Sequence, residues 1–187
     1  MNILTMNDMR KLNMDELETR HRNGEECPPW PLEIICDNVR SALNVGSIFR
    51  SADAFRISRI WLCGITARPP HRDILKTALG ATETVPWEYQ EDVVVLVRAL
   101  RENGTQCIGL EQTNQAVLLH EWSWDGQQPV ALLVGNEVNG LSDEVLPHLD
   151  GCLEIPQFGI KHSLNVAVAS GIAMWSLVSP HLPQSSK

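Results

Sequence analysis

Five short, predominantly apolar runs recur along this 187-residue chain: Leu32 to Cys36, Arg59 to Ile65, Gln106 to Leu110, Pro129 to Val134 and Cys152 to Ile155. Apolar on both faces and bounded by Gly, Pro and Asn, they suit strands buried in a parallel sheet. Helical patterns lie between and after them, at Val45 to Phe55, Asp73 to Leu79, Glu91 to Glu102, Ser142 to Leu149 and Ser163 to Val178. This alternation predicts one α/β domain, a parallel sheet flanked by helices. The longest nearly uncharged helical stretch, Ser163 to Ser179, contains Asn165 and several serines and is too short for a bilayer span, so no membrane segment is expected.

The first 30 residues predict a polar, capped helix from Asn7 or Asp8 to about Arg22. A break follows at Cys27-Pro28-Pro29-Trp30-Pro31, where three prolines exclude regular structure. Residues 1–31 are therefore read as an extension and linker, 32–179 as the domain and 180–187 as a flexible tail. No secretory signal is visible, which makes the cytoplasm the expected location. Cys27, Cys36, Cys63, Cys107 and Cys152 are widely spaced, with no C-x-x-C pair and no histidine at zinc spacing; reduced, mostly buried thiols are expected, and no metal.

The net charge of -8 argues against a nucleic-acid partner until it is mapped along the chain. Residues 40–76 hold seven cations, Arg40, Arg50, Arg56, Arg59, Arg68, Arg72 and Lys76, against Asp53 and Asp73 alone. A basic stretch thus sits in an acidic protein, either as an RNA-facing surface or as a solvated helix face.

The usual α/β fingerprints are missing: there is no G-x-G-x-x-G after the first strand, no P-loop, no G-x-S-x-G elbow and no H-E-x-x-H. Polar clusters instead follow three of the apolar runs, where open α/β sheets place their ligand sites. They are Asn44-Val-Gly-Ser-Ile-Phe-Arg50, Val134-Gly-Asn-Glu137-Val-Asn-Gly-Leu141 and Ile155-Pro-Gln-Phe-Gly-Ile-Lys-His-Ser163-Leu-Asn165-Val166. Taken singly, each is also ordinary turn and capping chemistry, with Asn44 or Ser163 as a helix N-cap.

In this order and at these separations, the three clusters resemble the SpoU/TrmH branch of the SPOUT RNA methyltransferases, over about Leu32 to Val178. The resemblance implies a SPOUT-type α/β knot with a C-terminal trefoil knot, a homodimer, S-adenosyl-L-methionine as methyl donor and a ribose 2′-hydroxyl of RNA as acceptor, with tRNA favoured over ribosomal RNA. It places Asn44, Arg50, Glu137, Ser163 and Asn165 on the family's active-site positions, and Leu110, Gly135, Ile155 and Leu164 on positions that hold the cofactor. Gln157 stands where many members have Met. With about 30 residues before the first strand, RNA recognition is expected from the domain, the N-terminal helix and the dimer partner.

Arg40, Arg68, Arg72 and Lys76 are the expected RNA contacts, with Lys161 and His162 as further candidates. An arginine is effectively always protonated, which makes it a poor base. Arg50 is instead expected to grip a phosphate beside the target ribose and stabilise the developing alkoxide. Asn44 would orient Arg50 or the ribose, Glu137 would fix the arginine or the cofactor loop, and Ser163 and Asn165 would orient the acceptor sugar. Trp61 and Trp175 are expected in the core; Trp122 and Trp124 are open between packing and base stacking.

Overall fold

A computed structural model describes residues 10–17, 19, 28–160 and 163–182. Strands β1 (Trp30–Asp37), β2 (Ile57–Cys63), β3 (Trp87–Gln90), β4 (Gln106–Leu110), β5 (Val117–Leu118), β6 (Val130–Val134) and β7 (Gly151–Glu154) form one sheet in the order β3-β2-β1-β6-β4-β7-β5. Every pairing in it is parallel. After β1, the α-helices among the described residues are α1 (Ala42–Ala54), α2 (Arg72–Ala78), α3 (Ala81–Thr84), α4 (Val93–Glu102) and α5 (Val166–Val178).

Side chains alternate across the sheet, so each apolar strand feeds two cores. Leu32, Ile34 and Cys36, Ile60 and Leu62, and Val130, Leu132 and Val134 pack under α1, α2 and α5. Ile35, Cys63, Ala131 and Leu133 pack against Val93, Leu96 and Val97 of α4. Late strands enter between early ones: β6 lies between β1 and β4, and β7 between β4 and β5. The carboxyl ends of β4, β6 and β7 consequently lie side by side, and α5 returns to pack on α1.

Several boundaries differ from the sequence reading. β1 begins at Trp30 and includes Pro31, despite the prolines. The register shifts between Trp30 and Glu33, so the missing Pro31 N–H falls in an irregular step of the ladder. The Ser142 to Leu149 helix is absent; turns lead to a 3₁₀ turn at Leu146–His148 that contains Pro147. There the N–H and hydroxyl of Ser142 both donate to buried Asp37, at 2.8 and 2.7 Å. The edge strands β3 and β5 were not foreseen: one is WEYQ and the other two residues long, and neither carries a buried apolar run.

At the N-terminus, residues 10–13 are not helical, and the helical turn begins at Met14. Asn13 Oδ1 accepts from Glu16 N–H and Glu16 Oε2 accepts from Asn13 N–H, a reciprocal capping box. The predicted start at Asn7 or Asp8 and end at Arg22 lie outside the described residues, as do Cys27, Lys161, His162 and residues 183–187. Cys36, Cys63 and Cys107 are buried. Burial is the largest effect on each and raises the thiols of Cys63 and Cys107 to about 12.

The tryptophans sort differently from expectation. Trp175 is 51% exposed and tilts against Phe55 instead of entering the core. Trp61 is half-buried, with its indole N–H donated to Glu33. Trp124 is buried, edge-on to Trp30 and His181, and donates to Gln128 O, which leaves no face for a base.

Candidate functional site

Where β4, β6 and β7 end, a cavity of about 530 Å³ opens. Its lining includes Leu110, Gly135, Ile155 and Leu164, the four residues expected to hold a cofactor. Glu137, Ser163 and Asn165 share its wall, while Asn44 and Arg50 do not.

The turn after β6 forms the floor. Asn136 and Gly140 exchange backbone hydrogen bonds at 2.8 and 2.9 Å, which closes the turn into a narrow loop. Asn136 Oδ1 accepts from the N–H groups of Val138 and Asn139, and its amide donates to Asn38 O at 2.8 Å, tying the loop to the end of β1. A Cβ on Gly135 would lie 2.1 Å from the Gly140 carbonyl carbon, so only glycine lets the two arms of the loop meet.

From this loop Glu137 reaches the amino end of α1. Its Oε2 accepts from Arg40 N–H at 2.9 Å, and its Oε1 from Ser41 N–H at 3.0 Å and Asn44 Nδ2 at 2.8 Å. A carboxylate only accepts, so Asn44 turns its amide NH₂ toward it and its carbonyl away. That carbonyl accepts from Asn165 Nδ2 at 3.1 Å. The Asn165 carbonyl in turn caps α5, accepting from Ala167 and Val168 N–H at 3.0 and 3.3 Å. Glu137, Asn44 and Asn165 thus form one chain of hydrogen bonds from the loop after β6 through α1 to α5.

Three sequence expectations change here. The N-cap of α1 is Ser41, whose Oγ accepts from Asn44 N–H, which leaves the Asn44 side chain for Glu137. The N-cap of α5 is Asn165, with Ser163 exposed in the loop before it. Neither Glu137 nor Asn44 touches Arg50 among the described residues; Arg50 is exposed on α1 beside Lys76, Ser47 and Thr77, in a separate shallow depression. Arg40, Arg68, Arg72 and Lys76 are all exposed.

Two carboxylates escaped the sequence reading. Glu111, directly after β4, accepts from Leu141 N–H at 2.9 Å and from Gln112 N–H at 2.9 Å. Gly140 has φ +71°, and a Cβ there would lie 2.1 Å from Glu111 Oε2. Asp37, the last residue of β1, is fully buried and holds Ser142. An acidic residue immediately after an apolar run was the available signal for both.

Partial burial pushes the Glu137 carboxyl up, but the donors from Arg40, Asn44 and Ser41 outweigh it, and the net shift is downward from 4.5. A carboxyl whose pKa is lowered by folding stabilises the fold above its unfolded pKa and loses that contribution as pH falls through the folded value. The wild type is therefore expected to lose stability below about pH 4.5 more steeply than Glu137→Gln, as read from chemical denaturation midpoints between pH 3 and 7.

A profile of the SpoU rRNA Methylase family matches residues 31–175. The chain is 31% identical over 167 residues to the 23S rRNA (guanosine-2'-O-)-methyltransferase RlmB of Ralstonia nicotianae, covering 89% of this chain and 64% of that protein. It is similar to the crystal structure of an AdoMet-bound rRNA methyltransferase from Sinorhizobium meliloti, with TM-score 0.75 and 30% identity over 82% of this chain and 57% of that one. The structure of an A. aeolicus TrmH/SpoU tRNA modifying enzyme gives TM-score 0.74 and 25% identity, with coverage of 88% and 82%. The chain spans 53 to 66% of the length of the curated relatives it matches.

Proposed function

Because the chain belongs to the SpoU rRNA Methylase family, we propose that it is an RNA methyltransferase that moves a methyl group from S-adenosylmethionine to a ribose 2′-hydroxyl. The observation that carries this reading is the convergence of Leu110, Gly135, Ile155 and Leu164 on one cavity bordered by Glu137, Ser163 and Asn165. Its volume of about 530 Å³ is within the range for a small-molecule site, and its mix of apolar side chains and loop backbone suits an adenosine with a polar tail. When bound, S-adenosylmethionine supplies a methyl already activated by a positive sulfur. We assign the methyltransferase domain to residues 32–179, preceded by an extension and followed by a short tail, and infer that its C-terminal segment is knotted, which the insertion of β6 and β7 between earlier strands supports.

The chain's own residues supply positioning and charge. The hydrogen-bonded line Glu137–Asn44–Asn165 holds the amino ends of α1 and α5 at a fixed separation, and Ser163 lines the cavity with Glu137 and Asn165. Arg50, exposed and without an acidic partner among the described residues, has its donors available for a backbone phosphate and the developing alkoxide. Arg50→Lys keeps the charge and loses the bidentate fork. Its kcat/KM is expected to fall at least about tenfold, and a near-wild-type value would remove the fork from the mechanism.

The partner is a second copy of the chain. Val168, Ile172 and Trp175 follow one another at i, i+4 and i+7 on α5 and are 51, 41 and 51% exposed, an apolar stripe beside Asn44 and Asn165. Packing through it would put the site at the subunit boundary. Ile172→Glu is expected to convert a dimer into a species near 20.9 kDa in gel filtration with multi-angle scattering.

No helix among the described residues is long and apolar enough to cross a membrane, and a cytoplasmic location suits an RNA substrate. The sequence reading favours tRNA, while the curated relatives named for 23S rRNA keep ribosomal RNA beside it. The deciding experiment incubates the protein with labelled cofactor and separate tRNA and rRNA pools from a strain lacking the gene, then maps the label by alkaline hydrolysis. Alkali-resistant dinucleotides in one pool identify the acceptor; label confined to alkali-labile nucleotides would overturn ribose methylation.

A further inference from the structure

Among the described residues, two arginines lie over aromatic rings, and their surroundings differ. Arg59 lies 5.1 Å from the Trp61 ring centroid, but it is paired with Glu88, and the Trp61 N–H is donated to Glu33. That stack is neutralised. Arg68 lies 4.1 Å from the centroid of Tyr89, is exposed, and makes no hydrogen bond or ion pair among the described residues.

The two stacks also sit on opposite faces of the sheet. Tyr89 is in register with Leu62, whose side chain is buried in the core under α1 and α2. Adjacent residues in register share a face, so Tyr89 stands on the side of Arg72 and Lys76. Trp61 lies on the α4 side with Cys63.

The Arg68 platform is rigidly mounted. The Tyr89 hydroxyl donates to Gly64 O at 3.2 Å, and Gly64 N–H donates to Gln90 O at the same distance. Thr66, buried in the loop that carries Arg68, donates to Cys36 O and accepts from Val39 N–H, both at 3.0 Å. Asn38 Oδ1 accepts from Ile65 N–H at 3.1 Å, and Asn38 O accepts from Asn136, next to Glu137. The platform is thus joined by hydrogen bonds to the catalytic loop.

We propose that Arg68 stacked on Tyr89 is a preformed platform for an unpaired RNA base flanking the target nucleotide. A guanidinium seated over a ring, as Arg68 is at 4.1 Å, offers a charged surface for stacking together with its unpaired donors. That pairing suits a nucleobase plane with an adjacent phosphate, whereas a duplex keeps its bases out of reach. The inference rests on RNA being the substrate, but its test does not require methyl transfer.

The probe is a ten-nucleotide single-stranded RNA with a central 2-aminopurine, whose fluorescence is quenched by stacking; the control is the same strand annealed to its complement. The wild-type chain is expected to quench the single strand on binding, and Tyr89→Phe to behave likewise. Arg68→Lys, which keeps the charge, and Tyr89→Leu are each expected to bind the single strand about tenfold or more weakly and without quenching, with duplex binding unchanged. Wild-type affinity and quenching in Arg68→Lys, or no quenching by the wild type, overturns the platform. Melting temperature and S-adenosylhomocysteine affinity serve as fold controls, with Arg68→Lys the decisive variant if Tyr89→Leu unfolds. Failure of the methylation assay on every RNA pool would instead count against the proposed reaction and leave the quenching result standing.

Discussion

Glu137→Ala is expected to lower kcat for methyl transfer by about a hundredfold while changing cofactor affinity much less. The carboxylate collects three donors, Arg40 N–H, Ser41 N–H and Asn44 Nδ2, at the amino end of a 13-residue helix where negative charge is favoured. Without it, the Asn44 amide loses the acceptor that fixes its orientation, and its carbonyl is no longer aimed at Asn165. An error of about 1 Å in such a constellation is enough for a hundredfold loss. Glu137→Gln separates charge from geometry. Its amide NH₂ must face either Arg40 N–H or the two donors on Oε1, setting donor against donor. It is expected to retain more activity than Glu137→Ala but to stay at least tenfold below wild type in single-turnover rate. A wild-type rate for Glu137→Gln would show that the clamp is not needed for transfer.

This clamp marks the boundary of what was legible in the sequence. Periodicity reports which residues are buried on both faces, and that suffices for β1, β2, β4, β6 and β7. It says little about β3, where Trp87, Glu88, Tyr89 and Gln90 form an edge strand with no fully buried side chain. Nor does it order strands: β6 between β1 and β4 is a non-local fact, and it is this order that gathers Leu110, Gly135 and Ile155 around one cavity. The three polar clusters name the site, but their couplings span 93 residues from Asn44 to Glu137 and 121 from Asn44 to Asn165. The resemblance accordingly left Asn44 to orient Arg50 or the ribose, and Glu137 to fix the arginine or the cofactor loop. Helix geometry favours the second of each pair: Arg50 is six residues after Asn44, about 240° further round α1 at 100° per residue, and falls on another side of the helix.

The second large effect belongs to a residue with no side chain. Gly135→Ala is expected to weaken S-adenosylhomocysteine binding by at least tenfold and to destabilise the fold by about 1–3 kcal/mol, the usual range for forcing a methyl into a closed site. The added Cβ would sit 2.1, 2.2 and 2.3 Å from Gly140 C, Leu141 N and Gly140 O, all backbone atoms that no rotamer change can move aside. Nor can that backbone swing outward freely. Gly140 is paired to Asn136 in both directions, and Leu141 N–H is held at 2.9 Å by Glu111 Oε2. Relief must come from opening the loop that floors the cavity and carries Glu137, so cofactor affinity and transfer rate should fall together. That distinguishes this variant from Glu137→Ala, in which affinity is largely spared. Calorimetric titration with S-adenosylhomocysteine, beside a denaturation curve for the same variant, checks both halves. Unchanged affinity would mean that the loop after β6 does not hold the cofactor and that the cavity serves another ligand.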